Sequence, residues 1–130
     1  MISHQSIQHV SLSVTNLEMA KHFYENILCL KEIERPPFDS DGAWYEIGSQ
    51  QIHLIVDENS QTLRKNHDLN SREGHLALRI NDYRSALDWL VQHHIEYRED
   101  VNGVSGFDQI YFNDPDGNLI ELNIMSNKSR

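Results

Sequence analysis

Three histidines and a glutamate stand inside strand-like stretches of this chain: His9 in IQHVSLSV, His53 in QQIHLIV, His75 in GHLALRI and Glu121 in NLIELNI. Neutral imidazoles and ionised carboxylates hold divalent cations such as zinc, nickel, cobalt, manganese or iron. Glu121 sets the problem. A lone carboxylate moved out of water into an aliphatic strand costs on the order of several kcal/mol without a compensating partner. A divalent cation is such a partner, since it keeps the carboxylate ionised and the imidazoles neutral. Taken singly, each residue has a plainer reading, as a hydrogen-bonded strand histidine or as a solvated edge glutamate that blocks unwanted pairing. Their places in the chain argue for taking them together.

Laying His9 on His75 also lays Leu12 on Leu78, Leu17 on Tyr83, Ala20 on Ala86 and Phe23 on Trp89, and it brings His53 near the place of Glu121. One unit is therefore repeated. Residues 7–14 alternate with the two-residue period of a strand, and TNLEMAKHFYENIL follows with helical spacing at Leu17, Ala20, Tyr24, Ile27 and Leu28. Thr15 with Glu18 fits a capping box and predicts the helix start there. GHLALRI and YRSALDWLVQHH repeat the pattern, with Tyr83, Ala86, Leu87, Leu90 and Val91 on one helical face. Three strand-like segments follow each helix: KEIER, AWYEIG and QQIHLIV, then IEYRE, DQIYFN and NLIELNI. GSQ and NDPDGN supply turn residues for a hairpin at the end of each unit.

The fold class predicted is α+β, two tandem βαβββ modules forming a curved mixed-sheet cup with the helices outside. One domain of 130 residues is expected, with module 1 at about 5–57, a linker loop at 58–73 and module 2 at about 74–125. Arg64, Lys65 and Arg72 of the linker could approach an anionic ligand, or simply be solvated. Successive strand residues point to opposite faces. Val10, Leu12 and Val14, Ile52, Leu54 and Val56, Leu76, Leu78 and Ile80, and Ile120, Leu122 and Ile124 then form aliphatic faces. Each opposite face is mixed and carries one of His9, His53, His75 and Glu121, the expected metal ligands. The other histidines fall on helix surfaces, a helix end or irregular segments and receive no chemistry.

Composition narrows the function. A net charge of −9 argues against nucleic acid, whose phosphates call for a basic face. No apolar run approaches the roughly 18–20 residues of a membrane span, and MISHQSIQHV lacks the basic start and apolar core of a signal peptide. A cytoplasmic location is expected. The single cysteine, Cys29, excludes an intramolecular disulfide and reads as an inert, half-buried thiol.

IQHVSLSVTNLEMAKHFYENIL, GAWYEIGSQQIHLI, GHLALRI and FNDPDGNLIEL together resemble the vicinal oxygen chelate superfamily, which includes glyoxalases, bleomycin-resistance proteins, fosfomycin-resistance thiol transferases and extradiol dioxygenases. The stretch FDSDGAWYEIGSQQIHLI is most similar to glyoxalase I-like proteins. The resemblance implies a homodimer and a divalent metal held by His9, His75 and Glu121, with His53 at the remaining ligand position, where glyoxalase I has a glutamate. It implies Lewis-acid-assisted proton transfer on a small substrate such as the hemithioacetal of a 2-oxoaldehyde and a thiol, as in lactoylglutathione lyase. Glu121 is the expected base, with His53 second, and Phe38 and Trp44 could line an apolar end of the pocket, although core packing is the plainer role for Trp44. The alternatives are a thiol transferase of the fosfomycin-resistance type, an extradiol dioxygenase using iron on His9, His75 and Glu121, or a module that binds a small molecule without catalysis.

Overall fold

The computed structural model describes residues 1–126. They divide into two compact units, one ending at Leu63 and the other beginning at Arg64, a boundary inside the expected linker. Among the described residues no helix is long and apolar enough to cross a membrane.

The first unit contains β1 (His9–Val14), α1 (Leu17–His22), β2 (Lys31–Ile33), β3 (Gly42–Ile47) and β4 (Gln50–Val56). Its four-stranded sheet has the order β1-β4-β3-β2, with β1 parallel to β4 and the other pairs antiparallel. The second unit contains β5 (Leu76–Arg79), α2 (Tyr83–Gln92), β6 (Arg98–Asp100), β7 (Phe107–Asn113) and β8 (Leu119–Met125). Its order is β5-β8-β7-β6, again with one parallel pair, β5 with β8. Two tandem βαβββ units are thus present element for element.

Register carries the duplication to single residues. His53 pairs with Ser11 across the parallel strands of the first sheet and with Trp44 across the hairpin. Glu121 pairs with Ala77 and with Tyr111 in the corresponding places of the second. The hairpins that fix this register are tight. Gly48 has φ of 55° in the two-residue β3–β4 loop, where a positive value matches the twist of the strands. In the β7–β8 loop the Asp114 carboxylate accepts from the backbone N–H groups of Asp116 and Asn118 at 2.9 and 2.8 Å.

Both helices start on an Asx cap at the same repeat position. Asn16 accepts from the Met19 N–H and Asp82 from the Ser85 N–H, each at 3.0 Å. The cap is therefore Asn16, one residue later than the Thr15 of the capping-box pattern, because its amide oxygen reaches the Met19 N–H three residues on. After His22 the first helix widens into a π turn, Phe23–Ile27, where the Leu28 N–H reaches the Phe23 carbonyl at 2.9 Å. This turn buries Phe23, Tyr24 and Ile27 in place of the regular helical continuation predicted from spacing. Tyr24 stacks on Tyr45 of β3, and the Tyr45 hydroxyl donates to Glu25 at 2.7 Å. In the second unit Tyr83 of α2 donates to Glu99 of β6 at 2.6 Å, and Leu87 and Leu90 are buried beside it in sequence.

Two further expectations are corrected. Cys29 is exposed, with φ of 58°, because it ends the helical segment in a left-handed conformation that turns the chain outward. Arg64 does not face a ligand: its guanidinium donates to Asn113 Oδ1, Gly117 O, Asn66 Oδ1 and Asp68 O at 2.8–3.1 Å. It ties the start of the second unit to the β7–β8 turn. A Cβ on Gly117, which has φ of 84°, would come 2.5 Å from the Asn66 carbonyl oxygen.

Candidate functional site

Each unit brings one histidine, His9 at the start of β1 and His75 just before β5, against the side chain at the centre of its last strand. In a parallel pair this diagonal contact follows from register, since His9 lies two residues before Ser11 and His75 two before Ala77. The two contacts differ in kind.

In the second unit the meeting is edge-on. His75 Nε2 lies 3.1 Å from Glu121 Oε1, and His75 Nδ1 lies 2.7 Å from the Glu73 carbonyl oxygen. A carbonyl only accepts, so Nδ1 carries a hydrogen. The contact at Nε2 then needs either a second hydrogen, making an imidazolium, or a cation standing in for it. A separation of 3.1 Å is also the edge between two ligand atoms with bonds of about 2.1 Å at an angle of about 95°. Glu121 is 4% exposed and does not lack partners. Asn123 Nδ2 donates to Oε2 at 2.6 Å, and Gln109 and Tyr111 also hydrogen-bond the carboxylate. Burial by itself would raise the Glu121 pKa, but the hydrogen bonds of Asn123, Gln109, Tyr111 and His75 outweigh it and hold the carboxyl below the ordinary glutamate value.

Tyr111 is a site residue that strand patterning did not reveal. It sits opposite Glu121 in the β7–β8 register, with its ring edge-on to His75 at 5.7 Å and the Arg98 guanidinium 4.9 Å above its face. Burial, followed by the Glu121 charge and hydrogen bond, pushes its phenol up to about 12. The signal available in sequence was the match between the hairpins AWYEIG/QQIHLIV and DQIYFN/NLIELNI, which gives the residue facing each strand centre: Trp44 and Tyr111.

In the first unit the meeting is face to face. His9 and His53 stack with ring centroids 4.1 Å apart and planes 15° apart. On its other face His53 lies flat on Trp44, at 3.9 Å and 2°. Phe38, 53% exposed, tilts against Trp44 at 6.1 Å and lies beneath the Arg35 guanidinium. Trp44 is thus neither plain core nor open pocket wall. His53 is 7% exposed, and its pKa is lowered by burial, then by the neighbouring His9 and Arg35. His9 Nδ1 is tied to the Gln8 amide oxygen, whereas in His53 it is Nε2 that meets an amide oxygen, Gln51 Oε1 at 2.8 Å.

The donor set suits a divalent ion in chemistry and only partly in arrangement. His9 and His75 each have Nδ1 held by an oxygen acceptor, which leaves Nε2 as the nitrogen for a metal, and Glu121 is an ionised carboxylate. His53 fits less well, because an imidazole lone pair lies in the ring plane. Planes inclined by 15° and stacked about 4 Å apart meet only on the order of 10 Å away, several times a metal–imidazole bond of about 2.1 Å. As they stand, His9 and His53 cannot hold the same ion. Among the described residues no group of three His, Cys, Asp or Glu side chains is gathered for a metal; each unit offers a pair.

Comparison with known proteins agrees with this duplicated architecture. "Glyoxylase I 4" of Arabidopsis thaliana is 28% identical over 120 residues, covering 90% of this chain and 69% of that protein. A glyoxalase family protein from Bacillus anthracis is similar at 25% identity with a TM-score of 0.79, covering 95% of this chain and 97% of that one. A genomically encoded fosfomycin resistance protein from Listeria monocytogenes is 25% identical, with a TM-score of 0.69 and coverage of 95% and 93%. Because the family model matches residues 6–122, both repeats included, the chain belongs to the Glyoxalase/Bleomycin resistance protein/Dioxygenase superfamily.

Proposed function

We propose that the protein is a divalent-metal-dependent enzyme of glyoxalase type, acting on a small substrate such as a 2-oxoaldehyde hemithioacetal. The observation that carries this reading is the His75–Glu121 contact. It sets an imidazole nitrogen and a carboxylate oxygen at ligand-to-ligand distance, with the far nitrogen already hydrogen-bonded to Glu73 O. At the equivalent repeat position of the first unit, His9 is held by Gln8 in the same sense and is proposed as a further imidazole ligand. A divalent ion bound there would supply Lewis-acid polarisation of two substrate oxygens on adjacent carbons, which acidifies the C–H next to the carbonyl.

Glu121 is the base that takes the proton from one carbon and returns it to the next, and Asn123 and Tyr111 hold its carboxylate in place meanwhile. No second carboxylate stands at the His53 position, so the proton is moved by a single acid side chain. The likeness to the fosfomycin resistance protein supports a second reading on the same ligands, addition of a nucleophile to fosfomycin or a related epoxide.

Elemental analysis of protein purified without chelator, followed by assays of hemithioacetal isomerisation and of fosfomycin consumption with the metal found, tests both readings. The first expects a bound divalent ion and isomerisation that is abolished in Glu121→Gln with the thermal midpoint little changed. Absence of any retained or restorable metal, or an unchanged rate in Glu121→Gln, overturns it.

A further inference from the structure

We infer that His53 is a positioning residue that fixes the ring plane of His9 by stacking, and not a ligand of the ion that His9 holds. The inference rests on the metal reading above and concerns one residue of it. Three observations within the first unit carry it. The His9 and His53 rings lie face to face at 4.1 Å and 15°, so an ion in the plane of one lies far out of the plane of the other. Trp44 covers the opposite face of His53 at 3.9 Å and 2°, and the two residues pair directly across the β3–β4 hairpin. Turning the His53 ring toward an ion would break both stacks at once. Finally, the ring is tethered in the opposite sense to His9 and His75: its Nε2 donates to Gln51 Oε1, while theirs is the nitrogen left unheld by Gln8 or Glu73.

Half-buried Trp44 and buried His53 thus form a two-layer platform on which the exposed His9 imidazole lies flat. A hydrogen bond at Nδ1 leaves a ring free to swing about that bond; a flat neighbour removes this freedom. The functional consequence is coordination number. Four protein ligands would close a tetrahedral site, whereas leaving His53 out of the ligand set keeps a position open for substrate oxygen.

The test compares His53→Phe, which keeps a flat ring and has no nitrogen, with His53→Ala and with His9→Ala. Two readouts are used: cobalt(II) titration followed by visible absorption, and the His9 imidazole proton resonances in NMR of the metal-free protein. Positioning predicts wild-type cobalt affinity and spectrum in His53→Phe, and a loss of about tenfold in His53→Ala. It also predicts that the ring-current shift of the His9 protons persists in His53→Phe and collapses in His53→Ala. A cobalt loss in His53→Phe as large as in His9→Ala makes His53 a ligand and overturns the inference. Should His53→Phe fail to fold, Trp44→Leu, which removes the lower layer and keeps every nitrogen, must weaken cobalt binding and shift the His9 resonances, and wild-type behaviour overturns the inference. If the wild-type protein takes up no cobalt, the metal reading fails; the His9 resonances then decide the stack alone, upholding it if they move in His53→Ala and not in His53→Phe, and overturning it otherwise.

Discussion

Glu121 shows how a buried acid is kept charged: four side-chain hydrogen bonds surround one carboxylate, and three of the partners, His75, Gln109 and Tyr111, come from outside its own strand. Tyr111 is the partner with a titration of its own. Its phenol pKa in the folded chain lies above the ordinary 10.0, so the stabilisation it gives is complete below pH 10 and is lost as pH rises toward about 12. Tyr111→Phe is expected to lower stability at neutral pH by about 1.5–3 kcal/mol, the range for a hydrogen bond to a charged group, and to flatten the alkaline part of the stability curve. Urea unfolding at pH 7 and at pH 11 checks both halves. A variant as pH-dependent as the wild type would remove Tyr111 from the Glu121 network. Tyr45 and Tyr83, held by Glu25 and Glu99, also lie above the ordinary value and contribute equally to both proteins.

Helix ends make separate predictions at the scale of elements. Asn16 and Asp82 cap equivalent helices through the same bond, but only one of them titrates. Asn16→Ala should cost about 1 kcal/mol at any pH. Asp82→Ala should destabilise at neutral pH and cease to do so in acid. The hydrogen bond from the Ser85 N–H, the largest cause, depresses the Asp82 carboxyl below its ordinary 3.8. Its contribution is therefore complete above that value and vanishes as pH falls through the folded-state pKa. Paired thermal melts at pH 7 and pH 2.5 distinguish the two. At the other end of the second helix His94 has φ of 57°, a region that costs a residue with a Cβ about 1–2 kcal/mol and glycine little. His94→Gly should raise stability by roughly 0.5–1 kcal/mol in urea unfolding; a loss would mean that the His94 side chain contributes more than the strain removes.

At the scale of the whole molecule, duplication gives two similar sheets whose contributions to chemistry are unequal. The second holds a polar pair, His75 with Glu121, and the first an aromatic stack on His9. If an ion binds the His75–Glu121 pair, it stabilises the folded state in proportion to the logarithm of its concentration over Kd. Metal at about one hundred times Kd should then add about 2.7 kcal/mol, and chelation should lower the thermal midpoint by several degrees. His75→Ala should abolish that chelator-dependent shift. A shift that persisted in His75→Ala would place the ion elsewhere.

Alternation and repetition, properties of neighbouring residues along one chain, were enough to read the fold. The period of two in QQIHLIV and NLIELNI, the helical spacing after Leu17 and Tyr83, and the turn residues around Gly48 and Gly117 foretold the elements of both units and their order. His9, His53, His75 and Glu121 stood out for the same reason, as residues that break an aliphatic alternation at matching places. What sequence could not carry was contact across strands. That Asn16 caps the first helix through the Met19 N–H, that this helix widens at Phe23, and that Arg64 bonds both its own loop and the β7–β8 turn depend on atoms brought together only by folding. The largest such decision concerns ring planes. His53 and Glu121 hold the same register position, yet one lies flat between Trp44 and His9 while the other meets His75 edge-on. The pattern of residue types fixes which side of a sheet a side chain takes; the packing of its neighbours fixes the angle at which its lone pairs point, and coordination chemistry depends on that angle.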